Sequence, residues 1–91
     1  LMPEIEKEIM VVNKLGIHAR PAAALVQCVL AFESEVYIAA NGAPVNAKSI
    51  MGLLTLAATR GTRLTVKCRG NDAYDAMKAV EALFASGFGE E

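Results

Sequence analysis

The chain lacks an excess of charge of either sign: 9 lysines and arginines stand against 10 aspartates and glutamates in 91 residues, a formal net charge of −1. A protein that coats nucleic acid carries a clustered basic surplus, and an acidic solvating tail or a polybasic membrane anchor needs its own imbalance. Aromatic residues are scarce at 5%, too few for an RNA-binding sheet that stacks bases. Cysteine is limited to Cys28 and Cys68, far apart and without CxxC spacing. No disulfide scaffold is expected, and with one histidine no zinc or other metal site. Both cysteines are expected to be buried small hydrophobes. No apolar run approaches the ~20 residues of a membrane span, so no membrane insertion is expected. Leu1-Met2-Pro3-Glu4 shows no basic stretch followed by an apolar core. No secretory signal is expected, Leu1 ahead of Met2 reads as a trimmed or added start, and the expected compartment is the cytoplasm.

What is present suffices for a core, since 54% of residues are hydrophobic. The length suits one domain over residues 1–91. Ile5 to Val12 is β-branched and partly alternating, a strand, and Asn13-Lys14-Leu15-Gly16 breaks it as a loop. Ala22, Leu25, Val26, Val29 and Phe32 carry helical spacing through Ala19 to Phe32. Glu35 to Ala40 reads as a second strand, Asn41-Gly42 as a hairpin turn, and Ala43 to Asn46 as a short edge strand, because Pro44 cannot donate to a ladder. Ser49 is a suitable N-cap for an apolar helix over Ile50 to Ala57. Arg63 to Arg69 alternates, with Leu64, Val66 and Cys68 on one face. Asp72 is placed to cap a last helix over Ala73 to Ser86, and Gly87 to stop it. The order βαββαβα with short strands predicts an α+β fold, a mostly antiparallel sheet covered by helices on one side.

The chemistry concentrates in Gly16-Ile17-His18-Ala19-Arg20-Pro21-Ala22-Ala23, which holds the only histidine. His18 stands where a loop meets a helix, and Pro21 is tolerated in the first turn. The unpaired N–H groups of that turn and the helix dipole make an anion site. The same field disfavours an imidazolium, leaving one ring nitrogen with a lone pair that can attack and hold a phosphoryl group. Arg20 can reach phosphoryl oxygens with a planar fork of donors. Taken singly, His18 could be a cap or surface residue and Arg20 a solvated charge.

A second segment, Lys48-Ser49-Ile50-Met51-Gly52-Leu53-Leu54, predicts a helix apolar nearly all round. On a small one-sided fold part of that surface stays exposed, and exposed Ile50, Met51 and Leu54 mark a docking patch.

These two segments resemble the signatures of the HPr family, the histidine-containing phosphocarriers of the bacterial phosphoenolpyruvate-dependent phosphotransferase system. Gly-Ile-His-Ala-Arg-Pro-Ala-Ala is similar to the active-site motif, and Lys-Ser-Ile-Met-Gly-Leu to the motif around a regulatory serine. The resemblance covers essentially the whole chain. It implies an open-faced β-sandwich, with a four-stranded antiparallel sheet and three helices on one face. It implies that His18 accepts a phosphoryl group on Nδ1 from phosphorylated enzyme I and passes it to a histidine of an enzyme IIA domain. Arg20 and the backbone N–H groups of Ala19 and Arg20 would stabilise that group. Ser49 would be a regulatory phosphorylation site for an HPr kinase/phosphorylase, with a transcriptional regulator as a further partner, and Ile50, Met51 and Leu54 would dock partners. The chain would be a covalent intermediate without a cofactor, not a stand-alone enzyme; a monomer is the default expectation, with weak dimers through the exposed apolar helix left open. Two positions depart from familiar members. Leu15 stands three before the histidine, where a small polar residue often meets the imidazole, and Ala57 stands where glycine is common.

A carrier devoted to nitrogen-related regulation would use the same residues, so it is the alternative within the family. An acyl-carrier role for Ser49 would need a strongly acidic chain, and a self-contained enzyme would need a carboxylate pair or a nucleophile–base set, neither of which is evident.

Overall fold

The structure is a computed structural model that describes residues 2–90; the reading of Leu1 lies outside them. The elements run β1 Glu4–Met10, α1 Ala19–Leu30, β2 Glu35–Ala39, β3 Val45–Asn46, α2 Ile50–Thr55, β4 Arg63–Arg69 and α3 Ala73–Ala85, followed by a 3-10 turn at Gly87–Gly89. The order is the expected βαββαβα. Boundaries shift by one or two residues. β1 stops at Met10, although Val11 still exchanges hydrogen bonds with Gly61 and Thr62 at 2.8 and 2.9 Å. β3 is only Val45–Asn46, since Pro44 has no N–H for the ladder.

The four strands form one antiparallel sheet in the order β1-β4-β2-β3. Alternation in β4 places Leu64, Val66 and Cys68 on the buried face, joined by Val36 and Ile38 of β2. The helices answer with Ala22, Leu25 and Val29 from α1, Leu53 from α2, and Ala76, Met77, Val80 and Phe84 from α3, all at most 1% exposed. The opposite face carries Glu4, Glu6 and Glu8 beside Arg63, Lys67 and Arg69 in loose ion pairs. This is the open-faced β-sandwich of the expectation. Burial pushes the Cys68 thiol up to about 11, with Asp72 and Cys28 adding to the shift. Cys28 departs from the expectation: it is only partly buried, because it lies at the rim of the α1 face.

Asp72 does precede α3, yet its carboxylate does not cap that helix. It accepts instead from the backbone N–H of Glu33 and of Ser34, both at 2.9 Å, and from the Ser34 hydroxyl. Ser34 is buried just before β2, and its two donors together with the Glu33 N–H outcompete the helix N–H groups. The Asp72 carboxyl is held below the usual carboxylate range, first by the Ser34 hydroxyl and then by the Glu33 N–H.

Candidate functional site

His18 is the N-cap of α1, with extended backbone (φ −89°, ψ −169°) and no side-chain cap bond. Its carbonyl accepts from Ala22 N–H at 3.0 Å, while its ring makes no bond back to the helix. The loop before it is fixed by contact with the α2–β4 connection. Ile17 N–H donates to Ala58 O at 2.9 Å, and Gly16, at φ +70°, approaches so closely that a Cβ there would lie 2.3 Å from that oxygen. Only glycine fits this backbone. Ala19 and Arg20 are the first two helical residues, so their N–H groups have no helical carbonyl to bond and point toward whatever anion approaches. Pro21 is buried in the same turn.

The ring has a partner the sequence did not reveal. His18 Nε2 lies 3.0 Å from Glu90 Oε2, with side chains 38% and 11% exposed. A carboxylate accepts and cannot donate, so Nε2 carries the hydrogen and, in the neutral ring, Nδ1 keeps the lone pair. Glu90 is held in turn: its Oε1 accepts from Asn13 Nδ2 at 3.1 Å, and the same Nδ2 donates to Gly16 O at 2.7 Å. Leu15, three residues before the histidine, supplies no partner for the ring and is 72% exposed. A cleft of about 470 Å³ beside the ring is lined by Lys14, Leu15, Arg20, Gly89 and Glu90. Two cations therefore face one opening, suited to an anion with several oxygens.

Ser49 lies at the head of α2. Its Oγ accepts from Gly52 N–H at 3.0 Å, the cap expected of it. Behind it Lys48 Nζ donates to Phe32 O at 3.0 Å, tying the α2 entry to the end of α1. Ile50, Met51 and Leu54 are 41%, 73% and 37% exposed, while Leu53 alone of this helix is fully buried. Ala57, just past α2, holds φ +50°, a left-handed conformation that favours glycine. It shapes the site through the backbone, since the next residue supplies the carbonyl that Ile17 bonds. Sequence reasoning missed Asn13, Lys14 and Glu90. Lys14 adjoins the motif and could have been noticed by its charge; Asn13 and Glu90 offer no local signal.

A family model for the PTS HPr component phosphorylation site matches residues 5–86. Over 87 residues the chain is 46% identical to the phosphocarrier protein HPr of Xylella fastidiosa, covering 96% of this chain and 98% of that one. Among solved structures, HPr-C-His from Thermoanaerobacter tengcongensis superposes with a TM-score of 0.91 at 41% identity, covering 96% of this chain and 98% of its own. An HPr dimer from the same organism matches with a TM-score of 0.77 at 41% identity, over 90% of this chain and 94% of that one.

Proposed function

The chain belongs to the HPr family of phosphocarriers of the phosphotransferase system, and from that membership we propose that His18 is its phosphoryl acceptor, charged on Nδ1 by phosphorylated enzyme I and discharged to a histidine of an enzyme IIA domain. One observation carries the reading: the Glu90 carboxylate on Nε2 leaves Nδ1 as the nitrogen with the free electron pair. In the forward step that pair forms the N–P bond while the donor's N–P bond breaks, its electrons returning to the donor imidazole. The Nε2 hydrogen stays on the ring opposite Glu90, so the positive charge gained by the ring meets a carboxylate. Arg20, Lys14 and the N–H groups of Ala19 and Arg20 offer donors to the phosphoryl oxygens. Nothing in the step calls for a metal or cofactor held by this chain. A phosphoramidate on a partly exposed ring can be passed on reversibly, as a relay needs.

Ser49 is the proposed regulatory site, phosphorylated by an HPr kinase/phosphorylase and then read by a transcriptional regulator. Ile50, Met51 and Leu54 are the proposed docking residues, the working unit a monomer and one domain, and the compartment the cytoplasm; no helix among the described residues is long and apolar enough to cross a membrane. The nitrogen-related alternative is not favoured, since the relative from Xylella fastidiosa is named for the phosphocarrier HPr itself.

The test is intact mass after incubation with phosphoenolpyruvate, magnesium and enzyme I. The parent is expected to gain one acid-labile phosphoryl group and His18→Ala none. An adduct on His18→Ala, or none on the parent with a competent enzyme I, sinks the assignment.

A further inference from the structure

We infer that Asn13 is a positioning residue for phosphoryl transfer, acting through Glu90 to keep the hydrogen of His18 on Nε2 and the electron pair on Nδ1. The inference rests on the phosphocarrier reading of His18. Asn13 is 2% exposed, and its Oδ1 is buried with no partner among the described residues. The fold thus tolerates an orphan acceptor for the sake of the NH2 group on the other side of the amide. Both hydrogens of that group are used, one on Gly16 O and one on Glu90 Oε1. Because both partners are acceptors, the amide has only one possible orientation.

Glu90 comes from a segment that does not reach the site by ordinary backbone. Gly87, Phe88 and Gly89 hold φ of +64°, +57° and +71° in succession. A non-glycine residue in that region is strained, and strain persists where surroundings over-determine it. Here the edge-on Phe88–Phe84 contact, with ring centroids 4.9 Å apart, fixes the near side. On the far side the Glu90 N–H donates to Gly87 O at 3.0 Å, and the Glu90 side chain ends on two contacts: Oε1 with Asn13 and Oε2 with His18. One carboxylate oxygen is therefore assigned to Asn13 and the other to the ring. In the transfer step Nδ1 gives its pair to phosphorus, the Nε2 hydrogen remains in place, and no proton has to leave the site. If Asn13 did not hold Oε1, Glu90 could turn away and the ring could place its hydrogen on Nδ1, where no pair is left for attack.

Glu90→Gln makes the orientation visible. Asn13 donates to the Gln oxygen, which turns the Gln NH2 toward the ring; His18 Nε2 must then accept, and the hydrogen moves to Nδ1. In Asn13→Ala/Glu90→Gln the amide is free to reverse, and the hydrogen returns to Nε2. The experiment is ¹⁵N spectroscopy of the ring, neutral and without phosphoryl donor, alongside the rate of phosphorylation by enzyme I. The parent is expected to show Nδ1 at the unprotonated position. Glu90→Gln is expected to move it toward the protonated one with a transfer rate lower by about 10-fold, and the double variant to move it back. A Glu90→Gln ring spectrum equal to the parent's overturns the inference, as does a folded double variant whose spectrum equals that of Glu90→Gln. If the double variant fails to fold, Glu90→Gln alone decides, because an amide not oriented by Asn13 would present its oxygen and leave the parent spectrum. A parent that takes no phosphoryl group overturns the carrier reading instead, while the ring spectra, which need no donor, still show whether Asn13 governs the ring.

Discussion

Ala57 carries a Cβ at φ +50°, and a left-handed L-residue costs about 1–2 kcal/mol relative to its relaxed backbone. Glycine pays more chain entropy on folding, which offsets part of the relief. Ala57→Gly is therefore expected to stabilise the protein by about 0.5–1 kcal/mol, read as a higher urea midpoint with unchanged slope. An equal or lower midpoint would mean that the α2–β4 connection gains its rigidity from the alanine. At this scale the sequence was most informative where the signal is contiguous. His18, Arg20 and Ser49 stand inside short motifs whose local backbone makes them useful: a helix start, a first turn, an N-cap. Glu90 was illegible because its partner lies at the other end of the chain, and Asn13 because a loop asparagine reads first as a turn former.

Between elements, Asp72 works as a strap from the β4–α3 turn to the start of β2. The folded state binds its proton more weakly than the unfolded chain does. The stabilisation is thus present above the unfolded carboxyl value of 3.8 and is lost as pH falls through the lower folded one. Asp72→Asn is expected to be less stable than the parent at pH 7, and the gap between the two should close as the pH drops below 4; denaturant midpoints across that range check it. A gap independent of pH would assign the strap to shape rather than charge. The contrast with Ser49 shows what limits a sequence reading of caps. Both residues precede a helix and both are good capping types. Ser49 has only Gly52 N–H to serve, whereas Asp72 meets the buried Ser34 on a neighbouring element, and no pattern within one segment announces that competitor.

Across the whole molecule, helices sit on one face of the sheet, and Ile50, Met51 and Leu54 remain exposed on α2. Aspartate caps a helix about as well as serine, so Ser49→Asp is expected to leave the melting temperature within a few degrees of the parent. A carboxylate beside Ile50 and Met51 must be desolvated when an apolar partner docks. Phosphorylation by enzyme I is therefore expected to slow by about 10-fold or more, with KM taking most of the change; an unchanged rate would remove Ser49 from the docking face. The fold class was legible because strand alternation and helical spacing are strong in β4, α1 and α3, while the strand order was not, since pairing partners leave no mark on a single segment. That order has a consequence for how the protein is made. β4, the strand that pairs with both β1 and β2, leaves the ribosome after both of them. Until it emerges, β1 has no neighbour and the β2–β3 ribbon is a two-stranded fragment of little stability. The nascent chain must therefore wait open until β4 has emerged, with Ile5, Ile9, Val36 and Ile38 available to chaperones, and only then does it gain a sheet.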